Sequence, residues 1–276
     1  MASFLTGLIG SGIGPSLSPA LHEVEAAHHG LRCVYRLVEV GDDDVGDLLA
    51  MAARLGFDGL NVTHPCKQSV IPHLDELSPD AAELGAVNTV VFRDGRAIGH
   101  NTDWKGFAQS FARGLPGASL DRVVLLGAGG AGTAVAHALL TMGAGHILVV
   151  DEDEDRARAL ARRLGERAEA GPLVLKGADG LVHATPTGMA HHPGLPLPAE
   201  LLHPGLWVAD IVYRPLETEL LERARALGCR TLDGGGMVVF QAAHAFRLFT
   251  GREPDAERML SHLKDLICEE PSPPSR

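Results

Sequence analysis

The chain has 276 residues, 45% of them hydrophobic and 21% charged, which at roughly 150 residues per domain predicts about two folded domains and excludes disorder as a global description. Its formal net charge of −11 at pH 7 gives no basic field to attract phosphate, so nucleic-acid and anionic-membrane partners are disfavoured and a small-molecule partner is expected. The cysteines Cys33, Cys66, Cys229 and Cys268 show no C-x-x-C spacing and read as reduced thiols, which predicts a cytoplasmic setting.

The opening stretch, MASFLTGLIGSGIG, has no basic residue before its apolar run and is cut by glycines. It therefore reads as a first strand, not a secretory signal. Candidate strands FLTGLIG, VYRLVEV and FDGLNVT follow one another, separated by helices around 20–29 and 44–55, each opened by a Ser, Pro or Asp signal. A hairpin is expected in NTVVFRDGRAIGH, where Asp94-Gly95 suits a tight turn with positive φ. A helix over 104–115 comes next.

The texture then changes to VVLLGAGGAG, the strongest sign of a domain boundary. Val123 to Val150 is 28 residues without Asp, Glu, Lys or Arg, long enough for a bilayer, but its six glycines divide it into strand, turn, helix and strand. Later strands are expected at PLVL, GLVHAT, LWVADIVY and CRTL, with helices at 153–164 and 219–227. After Gly234-Gly235-Gly236, helices over 238–250 and 254–267 are expected to return to the first domain. The fold class is thus α/β with two domains. Residues 1–104, completed by 239–270, are expected to form a mixed-sheet domain, 105–238 a Rossmann-type domain, and 271–276 a disordered tail.

Gly127, Gly129 and Gly132 fit G-x-G-x-x-G, with Gly130 in the same loop. The first glycine permits the tight turn, the second lets backbone approach a pyrophosphate, and the third allows close helix–strand packing. Asp151 ends the next strand, 24 residues after Gly127, where a carboxylate accepts hydrogen bonds from the adenosine ribose. The plainer reading is a glycine turn of an ordinary α/β unit. Asp151 opens the run DEDED, and a 2′-phosphate ~4 Å from one carboxylate would meet repulsion of about 4 kcal/mol at an effective dielectric near 20. NAD is therefore expected over NADP.

A Tyr-x-x-x-Lys dehydrogenase is excluded, because Tyr35 and Tyr213 are followed four residues later by Glu39 and Glu217. Catalytic zinc is not expected either, since the 14 histidines are scattered and no H-E-x-x-H occurs. What remains is polar residues at first-domain strand ends: NVTHPCK with Lys67, GAVNT with Asn88, and GHNTD with Asp103. The chain uses 20 arginines and four lysines, so Lys67 suggests a group that must exchange a proton, with Asp103 holding the ammonium. On composition alone the two also read as a surface Lys–Asp pair.

Five stretches together resemble the shikimate dehydrogenase family, including its quinate/shikimate branch: SLSPALH, NVTHPCK, GAVNT with GHNTD, GAGGAG, and DIVYRPLET through DGGGMVVFQAAHAFRLFTG. The resemblance implies that residues 1–104 with 239–270 serve substrate binding and catalysis and 105–238 dinucleotide binding, for reversible hydride transfer at C3 of shikimate or quinate in aromatic amino acid biosynthesis or quinate catabolism, with Lys67 and Asp103 as the catalytic pair. It implies that Ser16 and Ser18 hold the substrate carboxylate, that Asn61, Thr63, Asn88 and Gln241 read ring hydroxyls with Tyr213 nearby, and that Ile211 and Gly234 lie along the cofactor.

NADP-using members resemble one another in an Asn-Arg-Thr run where this chain has Asp151-Glu152-Asp153, which again favours NAD. His64 and Gln68 look like the quinate-oxidising branch, whereas Ser18 is shared with shikimate enzymes. Two rival readings keep the fold: a dehydrogenase of an amino analogue of the same ring, and a catalytically idle ligand sensor. Monomer and homodimer stay equally open.

Overall fold

The structure is a computed structural model that describes residues 2–268, so the expected tail at 271–276 lies outside the described residues. The described residues divide into two compact units, one made of 2–102 with 241–268 and the other of 103–240.

The first unit is built on β1 (Ser3–Gly10), α1 (Ser18–His28), β2 (Arg32–Glu39), α2 (Val45–Arg54), β3 (Gly59–Val62), β4 (Glu76–Leu77), α3 (Pro79–Leu84), β5 (Thr89–Arg93) and β6 (Arg96–His100). Its strands form one mixed sheet in the order β2-β1-β3-β5-β6-β4. The β1/β2, β1/β3 and β4/β6 pairs are parallel, while β3/β5 and β5/β6 are antiparallel. The expected hairpin forms β5 and β6, with Asp94 at φ 53 and Gly95 at φ 73, as a tight turn whose twist matches its strands requires. Its core joins Ile9, Leu60, Val62 and Val90 to Val45 and Leu49 of α2.

The second unit follows with α4 (Asp103–Gly114), β7 (Arg122–Leu126), α5 (Gly130–Thr141), β8 (His146–Val150), α6 (Glu154–Leu164), β9 (Ala168–Ala170), β10 (Gly180–His183), β11 (Trp207–Asp210), α7 (Glu219–Ala226) and β12 (Arg230–Leu232). Its six strands are all parallel, in the order β12-β11-β10-β7-β8-β9. Both faces are covered, as parallel sheets require. Val123, Leu125 and Ile147 pack with Phe107, Val135 and Leu139 on one side, and Val124, Leu126 and Leu181 with Leu220 and Leu221 on the other. The long uncharged stretch thus resolves into β7, a loop, α5 and β8. Among the described residues no helix is long and apolar enough to cross a membrane.

Two expectations need correction. PLVL is not a strand: residues 171–179 run as a loop, and the sheet edge is the preceding β9. Pro172 has no N–H for a ladder, and the apolar character arises because Leu175 is buried under the sheet with Leu181 and Leu197 while Val174 stays exposed. The last glycine run also does not delay the helix, since α8 spans Gly235–Thr250. Gly236 lies so close to Ser110 of α4 that a Cβ there would overlap its hydroxyl, so this glycine serves packing inside a helix. The short β4 and α3 give too few residues for a periodic signal.

The later part of α8 packs in the first unit, with Ala245 and Phe249 against Val91. The final helix, α9 (Ala256–Cys268), is tied to α1 by one buried carboxylate. Glu25, 1% exposed, accepts two bonds from Arg258 (2.9 and 2.7 Å), one from the Asp255 N–H (2.8 Å) and one from His29 (3.0 Å). Burial alone would raise its pKa, but Arg258, the Asp255 N–H and His29 together hold it below the ordinary value of 4.5. Arg258→Ala would leave that charge without its main partner and is expected to cost about 2–3 kcal/mol in urea unfolding at pH 7. Because the folded-state pKa is depressed, this contribution is present above 4.5 and fades as the pH falls through the folded value, so the gap between the two proteins should shrink in acid.

Candidate functional site

In the second unit the glycine loop connects β7 to α5. Gly127 has φ +109 and its N–H donates to Val150 O at 2.7 Å; a Cβ on it would meet Ala184 O at 2.6 Å. A Cβ on Gly132 would fall onto the carbonyl of Gly127, whereas one on Gly129 would meet nothing within 4 Å. Two glycines therefore let backbone pack on backbone, and the third leaves an open approach to the start of α5. Gly129 caps that helix with no side chain of its own, so the first-turn N–H groups around Gly130 are presented as a helix N-terminus presents them to an anion. This arrangement fits a dinucleotide pyrophosphate.

Asp151 directly follows β8. Its Oδ2 accepts from Ala128 N at 2.7 Å and its Oδ1 from Asp153 N at 2.9 Å, so the carboxylate is pinned against the glycine loop. Arg156 Nη1 lies 3.9 Å from the same carboxylate. Across the sheet, Ile211 follows β11, and Gly234 is packed so closely against the carbonyls of Ile211 and Val212 that no Cβ fits. Tyr213 lies two residues beyond Ile211.

Sequence reasoning missed a buried network between these points. Asp210, 2% exposed, accepts from His183 Nδ1 (2.9 Å) and Val212 N (3.0 Å) on Oδ1, and from Thr218 Oγ1 (2.7 Å) on Oδ2. The carboxylate only accepts, so His183 Nδ1 carries a hydrogen. His183 Nε2 then meets Thr185 Oγ1 at 2.5 Å, and Thr185 in turn accepts from Thr187 N. The available signal was a polar residue ending each of two apolar strands, GLVH and WVAD.

The first unit brings together most of its expected residues. Ser16 Oγ donates to Ser18 Oγ at 3.1 Å, and Ser18 N returns a bond to Ser16 Oγ at 3.2 Å. Asn61 on β3 gives its Nδ2 hydrogens to Asn88 O (3.3 Å) and Thr89 Oγ1 (3.0 Å), and Thr89 donates to Asn88 Oδ1 at 3.1 Å. Asn88 Oδ1 also accepts from Thr102 N at 2.7 Å. Thr63 donates its N–H to Ile9 O, and the carbonyl of Lys67 accepts from Val87 N at 2.8 Å. The half-buried Lys67 is thus tied by its backbone to the residue before Asn88, and Asn88 holds Thr102, the residue before Asp103. Asp103 is buried and opens α4. Gln241 lies in α8 within the first unit. Among the described residues no group of three His, Cys, Asp or Glu side chains is placed to hold a metal ion.

Residues 8–90 match the family described as shikimate dehydrogenase substrate binding domain, and 234–264 match the shikimate 5'-dehydrogenase C-terminal domain. Residues 112–170 match the ThiF family. A protein of Streptomyces avermitilis named shikimate dehydrogenase (NADP(+)) is 69% identical, over 96% of each chain. The chain belongs to the shikimate dehydrogenase family. It is accordingly an oxidoreductase with that family's two-domain α/β fold. Another family member, named quinate/shikimate dehydrogenase (NAD(+)), from Corynebacterium efficiens, is 50% identical over 93% of this chain and 96% of its own. Among solved structures of the shikimate dehydrogenase family, quinate dehydrogenase from Corynebacterium glutamicum in complex with NAD superposes with a TM-score of 0.89 at 47% identity, covering 96% of this chain and all of that one.

Gly132→Ala tests the loop geometry, because its methyl would have to displace the Gly127 carbonyl. It is expected to lose about 1–3 kcal/mol of stability through overpacking, and a thermal-shift titration should show the variant no longer stabilised by a nicotinamide dinucleotide.

Proposed function

We propose that the protein interconverts shikimate and 3-dehydroshikimate, quinate and 3-dehydroquinate, or both, by hydride transfer at C3 to NAD, with Lys67 and Asp103 handling the proton. The observation that carries this reading is the buried polar row Asn61–Thr89–Asn88–Thr102, which ends one peptide before Asp103 and is joined by backbone to Lys67. Short amides and hydroxyls of this kind suit a ring carrying several hydroxyls, and a site so built rejects analogues lacking one.

In the oxidative direction Lys67 takes the proton from the C3 hydroxyl, and Asp103, at the head of α4, keeps the amine oriented and passes the proton towards water. Ser16 and Ser18 hold the carboxylate. Asn61, Thr63, Asn88 and Gln241 take ring hydroxyls, with Tyr213 close by. When bound, the dinucleotide supplies the hydride acceptor. The backbone of Gly127, Gly129, Gly130 and Gly132 would hold its pyrophosphate, Asp151 would hold its ribose, and Ile211 and Gly234 would lie along its nicotinamide half. The four free cysteines fit a reducing, cytoplasmic compartment.

The preference for NAD rests on Asp151, whose pinned carboxylate opposes a 2′-phosphate. A reading with NADP is favoured by Arg156, an exposed cation 3.9 Å from that carboxylate, and by the NADP(+) in the name of the Streptomyces relative.

Purified protein with shikimate or quinate and either nucleotide should raise absorbance at 340 nm, and silence in all four combinations would sink the proposal. We expect kcat/KM with NAD to exceed that with NADP by at least about tenfold, a difference of ~1.4 kcal/mol, and Asp151→Asn to narrow the ratio; a preference for NADP in the wild type would refute the assignment. Lys67→Ala is expected to lower kcat by ~100-fold or more with little change in KM, the pattern of lost proton transfer.

A further inference from the structure

We infer that Tyr35 is a positioning residue for the substrate, fixing the hydrogen-bond polarity of Asn61 from inside the first unit's sheet. The inference rests on the function proposed above. β1 runs between β2 and β3, with Tyr35 paired to Thr6 and Asn61 paired to Leu8. Side chains alternate along a strand, so Tyr35, Thr6, Leu8 and Asn61 project from one face, and the phenol reaches over β1 to the amide. Tyr35 is 3% exposed, packs with Leu8 and Ile13, and stacks on His22 at 4.9 Å.

The direction of each bond is forced. The backbone carbonyl of Asn88 only accepts, so the Asn61 atom facing it is Nδ2. Asn61 Oδ1 therefore faces Tyr35, and the phenol must donate to it, at 2.8 Å. Burial pushes the phenol pKa far up, and burial lowers that of His22 to about 4, so both stacked rings stay neutral at pH 7 and the direction of the Tyr35–Asn61 bond does not change there.

Both Nδ2 hydrogens of Asn61 are committed, which leaves its oxygen, already accepting from Tyr35, a second lone pair for a substrate hydroxyl. Tyr35 thereby holds the amide as an acceptor towards the ring.

The test is Tyr35→Phe, assayed beside wild type, with thermal unfolding to verify that each variant is folded. We expect the KM for shikimate or quinate to rise about five- to tenfold, the size of one net hydrogen bond, while the KM for the nucleotide and the saturating kcat change less than about twofold. The effect of Asn61→Ala on that KM should be smaller in the Tyr35→Phe background than in wild type. An active wild type with an unchanged substrate KM in Tyr35→Phe, or with the two effects simply multiplying, overturns this inference alone. An inactive wild type overturns it together with the proposed function. A second readout does not depend on the variant folding. The chain has two tyrosines, so 3-fluorotyrosine labelling gives two fluorine signals, assigned with Tyr213→Phe. The Tyr35 signal should shift on saturation with shikimate or quinate, and a stationary signal would overturn the inference.

Discussion

A polar group taken out of water must find a partner inside the protein, and that requirement governs the chemistry-bearing parts of both units. In the first, Asn61, Asn88, Thr89 and Thr102 are all buried, and each is satisfied by the next. One backbone carbonyl, that of Asn88, fixes the orientation of the Asn61 amide, and everything bonded to that amide inherits its direction. In the second, Asp210 collects donors from His183, Val212 and Thr218. A half-satisfied buried network costs more than an apolar one, so these side chains have little freedom to rearrange, and a site built on them is held in shape before any ligand arrives.

The glycine loop applies a different constraint, that of space. Gly127 and Gly132 are required because backbone presses on backbone, and Gly129 because nothing should stand in front of the helix start. Asp151 links the two features through its bond to Ala128 N, so the side chain expected to meet the ribose also holds the loop expected to meet the pyrophosphate. Under the proposed assignment a substitution there acts on both, so that nucleotide preference and loop order are coupled.

Nucleotide choice is the point at which overall similarity says least. The relative at 69% identity carries NADP(+) in its name, and the one at 50% carries NAD(+). The two-domain fold is common to both, so the discrimination must reside in a few side chains around the ribose. The side chains proposed here for that role form an acidic run, 151–155, with Arg156 and Arg158 paired back onto it. The outer pairs are exposed and weak, whereas Asp151 is held by two backbone N–H groups, which is why the argument for NAD turns on that residue.

Much of this was legible in the amino-acid order. Period-two and helical patterning identified most elements, the Asp94-Gly95 pair marked the hairpin, and the motif stretches sufficed for the family, because each depends on contacts between near neighbours or on residue types with few alternatives. The failures have local causes too: PLVL is apolar to fill space under a sheet, and Gly235-Gly236 sits inside a helix to meet Ser110. What only the tertiary structure decided is which distant side chains bond to one another and in which direction. Tyr35 and Asn61, or His183, Asp210 and Thr218, come from separate segments that the fold brings side by side, and the direction of their hydrogen bonds follows from acceptor-only carbonyl and carboxylate groups whose positions no one-dimensional pattern contains.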